Sequence, residues 1–194
     1  MLYLPLLRWR SRSRLAQLIR TAGLSIKRPA DQMVTELESA NSAACQAWLR
    51  QHAPDVVVVN GTRILSRETL SACNAVFLNT HCGITPAYRG VHGAYWALAQ
   101  GDATHAGVTV HVIDPGIDTG DIAYQRRVEM DQQDNFVTYP VQQYVAAIPL
   151  LLAALRDVSA GKLKTYRRED LTSALWYHPT LWQYMWTRLL RGVR

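Results

Sequence analysis

The four consecutive valines of DVVVVN, residues 55–60, constrain this chain more than any other stretch. β-Branched side chains are stiff and sit well on a pleated surface, so the run predicts a strand. It lacks polar alternation, so both faces of that strand need cover. Pro54 stands immediately before it. A strand of this kind belongs to an α/β domain with helices flanking an open, mostly parallel sheet.

The rest of the chain supplies the partners. Residues 12–23 predict a helix with Leu15, Leu18 and Ile19 inward, and 31–52, rich in Ala, Glu and Gln, predict one or two more. A short helix over 66–73 takes Ser66 as N-cap and Glu68 in its first turn. AVFLN (75–79) reads as a second buried strand, and VHGAYWALAQ (91–100) as a helix stopped by Gly101. GVTVHVI (107–113) alternates like a strand, DPGIDTGD (114–121) is turn-rich, and IAYQRRVEM (122–130) reads as a strand near an edge. Asn135 to Ala160 predicts a long apolar helix, interrupted at Pro140 and Pro149 and ended by Gly161. These elements form one domain over 1–170, helical over 1–54, followed by a Trp-rich tail over 171–194 packed on the body. In that tail Pro179 opens a last helix and Gly192 closes it.

Composition excludes several classes. A chain of 194 residues with 48% hydrophobic and 19% charged residues has the balance of a globular protein, not a disordered one. No apolar stretch reaches the ~18 residues a spanning helix needs, so the expectation is a soluble or peripheral protein. Cys45, Cys73 and Cys82 are odd in number and show no paired spacing, which fits a reducing cytoplasm. The start MLYLPLLRWRSRSR has its charges after a short apolar run, unlike a signal peptide. Net charge is +6, with Arg8, Arg10, Arg12, Arg14 and Arg20 near the start and Arg188, Arg191 and Arg194 at the end. This reads as a solvated basic surface, with attraction to phosphate, RNA or acidic lipid as the sharper alternative. No GxGxxG, GxxxxGK, HExxH, HxxxH or CxxC pattern occurs, so nothing signals a dinucleotide site, a P-loop or zinc.

The chemistry concentrates in LNTHCGITPAYRG, residues 78–90. Side chains two apart on a strand share a face, so Asn79 and His81 aim into one volume at the strand's carboxyl end. The loop after the next strand brings Asp114, Asp118, Thr119 and Asp121. If the two strands pair, both loops emerge at one edge and a carboxylate reaches the imidazole. An amide, an imidazole and a carboxylate suit acyl-type transfer, with donors for a developing oxyanion and a group to take a proton. The bland alternative is a turn-capping Asn79, a satisfied core His81 and turn-forming aspartates. Cys82 faces the other way and reads as buried and inert.

VVVVNGTRILS (56–66), LNTHCGITPAYRG (78–90) and GVTVHVIDPGIDTGD (107–121), in this order and with these separations, resemble the folate-dependent formyltransferases. That family includes glycinamide ribonucleotide formyltransferase, the catalytic domain of methionyl-tRNA formyltransferase, sugar N-formyltransferases and formyltetrahydrofolate hydrolase. The resemblance implies catalytic Asn79, His81 and Asp118, with His111 in support. It implies 10-formyltetrahydrofolate as co-substrate, held by Arg63, Ile64 and Leu65 on one side and by Ile113, Asp114, Gly116 and Ile117 on the other. Asn79 and a protonated His81 then steady the oxyanion, Asp118 keeps the ring charged and helps remove the amine proton, and no metal is implied. Cys82-Gly83 replaces the Pro-Ser that many members carry, and the family's usual first strand and acceptor-gripping loop have no counterpart before Asp55. The tail is too short for the β-barrel domain of methionyl-tRNA formyltransferase. The expectation is a cytoplasmic enzyme of one-carbon metabolism that formylates a small amine, such as an amino sugar, a nucleotide-linked amine or a glycinamide ribonucleotide-type acceptor. Nucleic acid is not an expected partner; for the Trp-rich tail, with its terminal arginines, lying on a membrane surface is the lesser alternative to packing on the body. Formyltetrahydrofolate hydrolysis, a methionyl-tRNA formyltransferase-like activity and a non-catalytic folate-binding remnant are the alternatives.

Overall fold

The valine run forms β1 (Val56–Val59), which pairs in parallel with β2 (Val76–His81), placing Val57 beside Phe77 and Val59 beside Asn79. The structure, a computed structural model, describes residues 3–194; Met1 and Leu2, within the helical stretch expected over 1–54, lie outside the described residues. The two-residue β3 (Arg89–Gly90) stands apart from this sheet. β4 (Gly107–Val112) and β5 (Ile122–Arg127) complete a central four-stranded sheet in the order β1-β2-β4-β5, with β5 at an edge. β6 (Leu175–Trp176) pairs with β3 in a small second sheet.

The α/β architecture matches the sequence-based expectation, with helices on both sides of a central sheet. Strand direction differs from it. β1–β2 is parallel, whereas β2–β4 and β4–β5 are antiparallel. A non-alternating apolar run demands cover on both faces, and that demand is indifferent to direction. For β4–β5 the connection decides instead: a short loop joins them, and a parallel return needs a dozen or more residues; the β2–β4 connection, which carries the helix Gly93–Ala99, is long enough for either direction.

Before Val56 the described residues form α1 (Tyr3–Arg10), α2 (Arg12–Thr21), a 3-10 turn at Asp31–Met33 and α3 (Ala43–His52). α4 (Arg67–Leu70) begins where expected, because the Ser66 side chain accepts from the Thr69 amide. α5 (Gly93–Ala99) follows β3, and α6 (Tyr139–Ser159) follows β5. α6 is continuous, against the expected interruptions. Pro140 lies in its first turn, where backbone N–H groups have no intrahelical partner, so nothing is lost there. Pro149 is interior and removes one helical bond, a cost of about 3 kcal/mol. Burial of Ala154 and its neighbours against β2 and β4 offsets that cost. The uninterrupted 21-residue helix is also long and apolar enough, by length and composition, to cross a membrane, which corrects the shorter apolar stretch expected. Here it packs on β2, β4 and β5.

Strand alternation divides the sheet's two faces. Leu78 and Val110 point toward α6 and meet Leu150, Leu151 and Leu155. Phe77 points the other way, with Val57 and Val59, into a cluster with Leu49 and Trp48 of α3 and Leu70 of α4. Asn79 and His81 share that second face, beyond the reach of the α3–α4 cover. A further aromatic core joins Tyr95 and Trp96 of α5 to Tyr139 and to Tyr184 of α7 (Leu181–Arg191). Trp176 stacks on Trp96 with centroids 4.8 Å apart and donates from Nε1 to the Ala87 carbonyl. Thr180, not singled out in the sequence, caps α7 with Gln183 in a reciprocal capping box, and Gly192 ends it.

Candidate active site

Asn79 lies directly opposite His111 in the β2–β4 register, and His81 opposite Thr109, so Asn79, His81 and His111 project from one face. The antiparallel pairing sends the loop after β4 out beside Phe77, where Ile113 donates its amide to the Phe77 carbonyl. This loop therefore does not leave at the edge where His81 stands. Asp118 reaches the imidazole because the loop folds back across the face. Asp118 itself adopts φ +50°, a left-handed conformation that an aspartate tolerates. A Cβ at Gly120 would lie 1.7 Å from the Val112 carbonyl oxygen, so only glycine lets the loop return so closely. Asp114 organises the turn by accepting from the Gly116 amide at 3.0 Å and from Thr119 Oγ1 at 2.7 Å. Asp121 turns away and pairs with Arg167 at 2.6 Å.

The carboxylate of Asp118 is the hub. Its Oδ2 stands 3.3 Å from His81 Nδ1 and accepts from the Gly90 amide at 2.9 Å. Its Oδ1 stands 3.5 Å from His111 Nε2 and accepts from Asn79 Nδ2 at 3.3 Å. Asn79 Nδ2 is also 3.1 Å from His111 Nε2, while His111 Nδ1 is 2.9 Å from the Val112 carbonyl oxygen. His81 Nε2 lies 2.6 Å from the Tyr88 carbonyl oxygen, so that nitrogen carries the hydrogen of the neutral ring.

Burial pulls the His81 pKa below its ordinary value, and the Asp118 charge and the Tyr88 carbonyl oppose that pull without overcoming it. The resting ring is thus held toward its neutral form, in contrast to the charged ring expected from the sequence. Burial also resists ionisation of Asp118. The His111 hydrogen bond, the neighbouring His81 ring and the Gly90 amide together outweigh it and hold the carboxyl below its ordinary value. The pair so formed carries one negative charge and has room for one proton, the condition of a general base. Burial pushes the Cys82 thiol up to about 12, which leaves it inert.

Two cavities meet at this hub. The first, about 200 Å³, is lined by Arg63, Ile64 and Leu65 after β1 and by Ile113, Asp114, Gly116 and Ile117 of the returning loop. Asn79, His111 and Asp118 form its inner wall. His81 stands behind them, 6% exposed. Ile64 and Ile117 keep exposed apolar surface, while the 61–65 turn offers backbone donors and acceptors. That combination fits a flat heteroaromatic ring with polar edges. Asn41 holds the turn, donating to the Ile64 carbonyl at 2.8 Å and accepting from the Ser66 amide at 2.8 Å. Its sequence neighbourhood carries no signal for this task, because the contact spans more than twenty residues.

The second cavity, about 400 Å³, adjoins Asp118 and Thr119 from the other side and is lined by Arg89, Arg167 and Arg168. Arg89 donates from one terminal nitrogen to the Ile117 carbonyl at 3.0 Å, while its Nε is buried with no partner. None of these arginines stood out in the sequence. Arg89 lies inside the LNTHCGITPAYRG stretch, and the other two come from a segment that only the fold brings near. Among the described residues no group of three or more His, Cys, Asp and Glu side chains is arranged to hold a metal ion.

The sequence model of the family described as formyl transferase matches residues 14–145, more than half of the chain. Methionyl-tRNA formyltransferase of Anaeromyxobacter dehalogenans (strain 2CP-1 / ATCC BAA-258) is 33% identical over 143 residues, 73% of this chain and 46% of the relative. The enzyme of the same name from Kosmotoga olearia is 30% identical over 132 residues, 68% of this chain and 42% of the relative. The chain thus spans less than half the length of these curated relatives. A sugar N-formyltransferase from a Shewanella species superposes with a TM-score of 0.60 at 20% identity, over 94% of this chain and 83% of that one. HypX from Aquifex aeolicus in complex with tetrahydrofolic acid superposes at 0.55 with 20% identity, over 69% of this chain and 23% of that one. At such identities the structures speak for the fold.

Proposed function

The chain belongs to the formyl transferase family, and on that premise we propose that it transfers a formyl group from 10-formyltetrahydrofolate to an amine on a small anionic acceptor. The observation that carries this reading is that Asp118 lines two cavities, one between the 61–65 turn and the 113–118 loop, the other beside Arg89, Tyr166 and Arg168. A donor and an acceptor approaching from opposite sides meet at its carboxylate. HypX, a neighbour of the same fold, is solved in complex with tetrahydrofolic acid, which supports a folate co-substrate; the first cavity is the place we assign to it.

The formyl folate supplies the transferable group and the leaving nitrogen. Ile64 and Ile117 clasp the ring faces, and the 61–65 turn and the 113–118 loop meet its polar edges. Asn79 donates to the formyl oxygen as charge gathers there. The His81–Asp118 pair takes the proton that the amine gives up as its nitrogen bonds to the formyl carbon, and the imidazolium so formed is stabilised by Asp118 and the Tyr88 carbonyl. The same proton is then available to the departing donor nitrogen. Arg89, whose Nε has no partner, suits a phosphate or carboxylate on the acceptor, as a nucleotide-linked amino sugar carries; Arg167 and Arg168 at the rim are paired with Asp121 and Asp170.

Incubation of the protein with 10-formyltetrahydrofolate and a panel of nucleotide-linked amino sugars tests the reading. Amine-dependent release of tetrahydrofolate, with formylated sugar by mass spectrometry, is the expected result. Formate release independent of any amine marks a hydrolase instead, and folate binding without turnover a remnant. The named relatives favour one second reading, an aminoacyl-tRNA acceptor. Formylation of charged initiator tRNA in the same assay, with no reaction on the sugars, would establish it.

A further inference from the structure

The helix α7 is built inside out. Tyr184 is buried against the body, and Arg191, one turn pair further on, donates to the Ala99 carbonyl at 2.6 Å. Thr187, between them, hydrogen-bonds with the Tyr95 hydroxyl at 2.6 Å. The opposite face carries Trp182, Met185, Trp186 and Leu189, spaced i, i+3, i+4 and i+7, with Leu190 beside them. Trp182 is 80%, Trp186 65% and Leu189 74% exposed. A surface helix ordinarily turns such a stripe inward. This one presents it to the outside, and Leu6 and Trp9 of α1 are exposed as well. Leu6 and Arg10 of α1 share a groove of about 250 Å³ with Arg188 and Arg194, which brings the two ends of the chain together.

Charge identifies the occupant. Residues 1–30 and 171–194 hold ten of the 21 Lys and Arg residues and none of the 15 Asp and Glu residues. Arg10, Arg188 and Arg194 line the groove between α1 and α7, so cations flank the apolar face, while Arg14 and Arg28 are paired with Asp134 and Glu36. We propose that α7, with α1, docks this protein in the interfacial layer of an anionic phospholipid bilayer. Tryptophans seat at the headgroup level, Leu189 and Leu190 enter the acyl boundary, and the arginines meet lipid phosphates. Eleven residues make a helix about 16 Å long, too short for a hydrocarbon core of about 30 Å, so it lies along the surface. A second copy in a symmetric pairing would set one cationic rim against another, which disfavours it. Nucleic acid would answer the arginines but not the exposed Leu189, Leu190 and Met185.

Co-sedimentation with phosphatidylcholine vesicles, with and without one-quarter phosphatidylglycerol, tests this. The expected result is binding to the anionic vesicles with a blue-shifted tryptophan emission, weakened at high salt and about tenfold or more weaker in a Trp186→Ser/Leu189→Ser variant. Both positions are exposed, and circular dichroism checks that the variant is folded; Trp182→Ser is a second, milder variant expected to act in the same direction. Absence of binding to anionic vesicles overturns the proposal. So does a concentration-dependent dimer in sedimentation velocity that the double variant abolishes, or salt-sensitive binding to RNA without binding to vesicles.

Discussion

The backbone amide of Gly90 donates to Asp118 Oδ2 at 2.9 Å, and Gly90 is held by the C-terminal tail. Gly90 sits at φ +93° with the Trp176 carbonyl oxygen only 2.2 Å from where a Cβ would stand. Trp176 in turn stacks on Trp96 and Tyr88. The tail thus reaches the hub through one glycine. Gly90→Ala forces β3 and β6 apart and weakens a charged hydrogen bond of about 1.5–3 kcal/mol. A loss of about tenfold to a hundredfold in kcat/KM is expected, with folate binding largely kept; steady-state kinetics and isothermal calorimetry check both.

Asp118→Asn keeps an acceptor for the Gly90 amide but removes the negative charge beside His81. The fold is expected to survive, and kcat to fall by about a hundredfold to ten-thousandfold, the usual worth of a general base. Near-normal turnover in this variant contradicts the role given to the carboxylate.

The pH response follows from the His81 shift. Its folded pKa lies below the ordinary histidine value, so the unfolded chain binds the proton first as pH falls. Stability contributed by the neutral ring is therefore present above about 6.5 and is lost progressively on acidification. The same shift places the acid limb of kcat/KM below about 6.5, since the pair must be free to accept a proton. A pH–rate profile and thermal unfolding between pH 4 and 8 measure the two effects; an acid limb above the ordinary histidine range is incompatible with a ring held neutral.

Asn41 acts on the first cavity alone, through the turn after β1. Asn41→Ala frees the 63–66 turn from both of its anchors, each worth about 0.5–1.5 kcal/mol. The KM for the formyl folate is expected to rise several-fold with kcat nearly unchanged. A variant whose kcat collapses while its KM stays put speaks against this positioning role.

Arg89 separates the acceptor side from the donor side. Arg89→Gln removes the half-buried guanidinium beside the second cavity, whose Nε has no partner, and the KM for an anionic acceptor is expected to rise tenfold or more. For a neutral amine the change is smaller, and that difference in selectivity is the measurement.

Some of this was legible along the chain because it depends on neighbours in sequence. Four valines in a row form a strand, although on the edge strand β1 Val58 stays 43% exposed, against the cover expected on both faces; Ser66 caps the helix that follows it, and Gly161 and Gly192 end theirs. The two-residue spacing of Asn79 and His81 puts them on one face by covalent geometry. The resemblance supplied Asp118 and the cleft residues, all of which the structure brings around one hub. Other features depend on contacts between distant segments. The antiparallel direction of β4 against β2 is not written in an apolar run, because cover on both faces is indifferent to strand direction. Pro149 stays helical because α6 is clamped on the sheet, a force that no local propensity contains. The neutral bias of His81 arises from burial, which exists only once the loop at 113–121 has folded back. Even the inverted face of α7 is decided by which side Tyr184 and Thr187 find partners. Local geometry therefore determined which side chains travel together, and tertiary packing decided what they face, because burial and long-range hydrogen bonds are properties of the assembled chain alone.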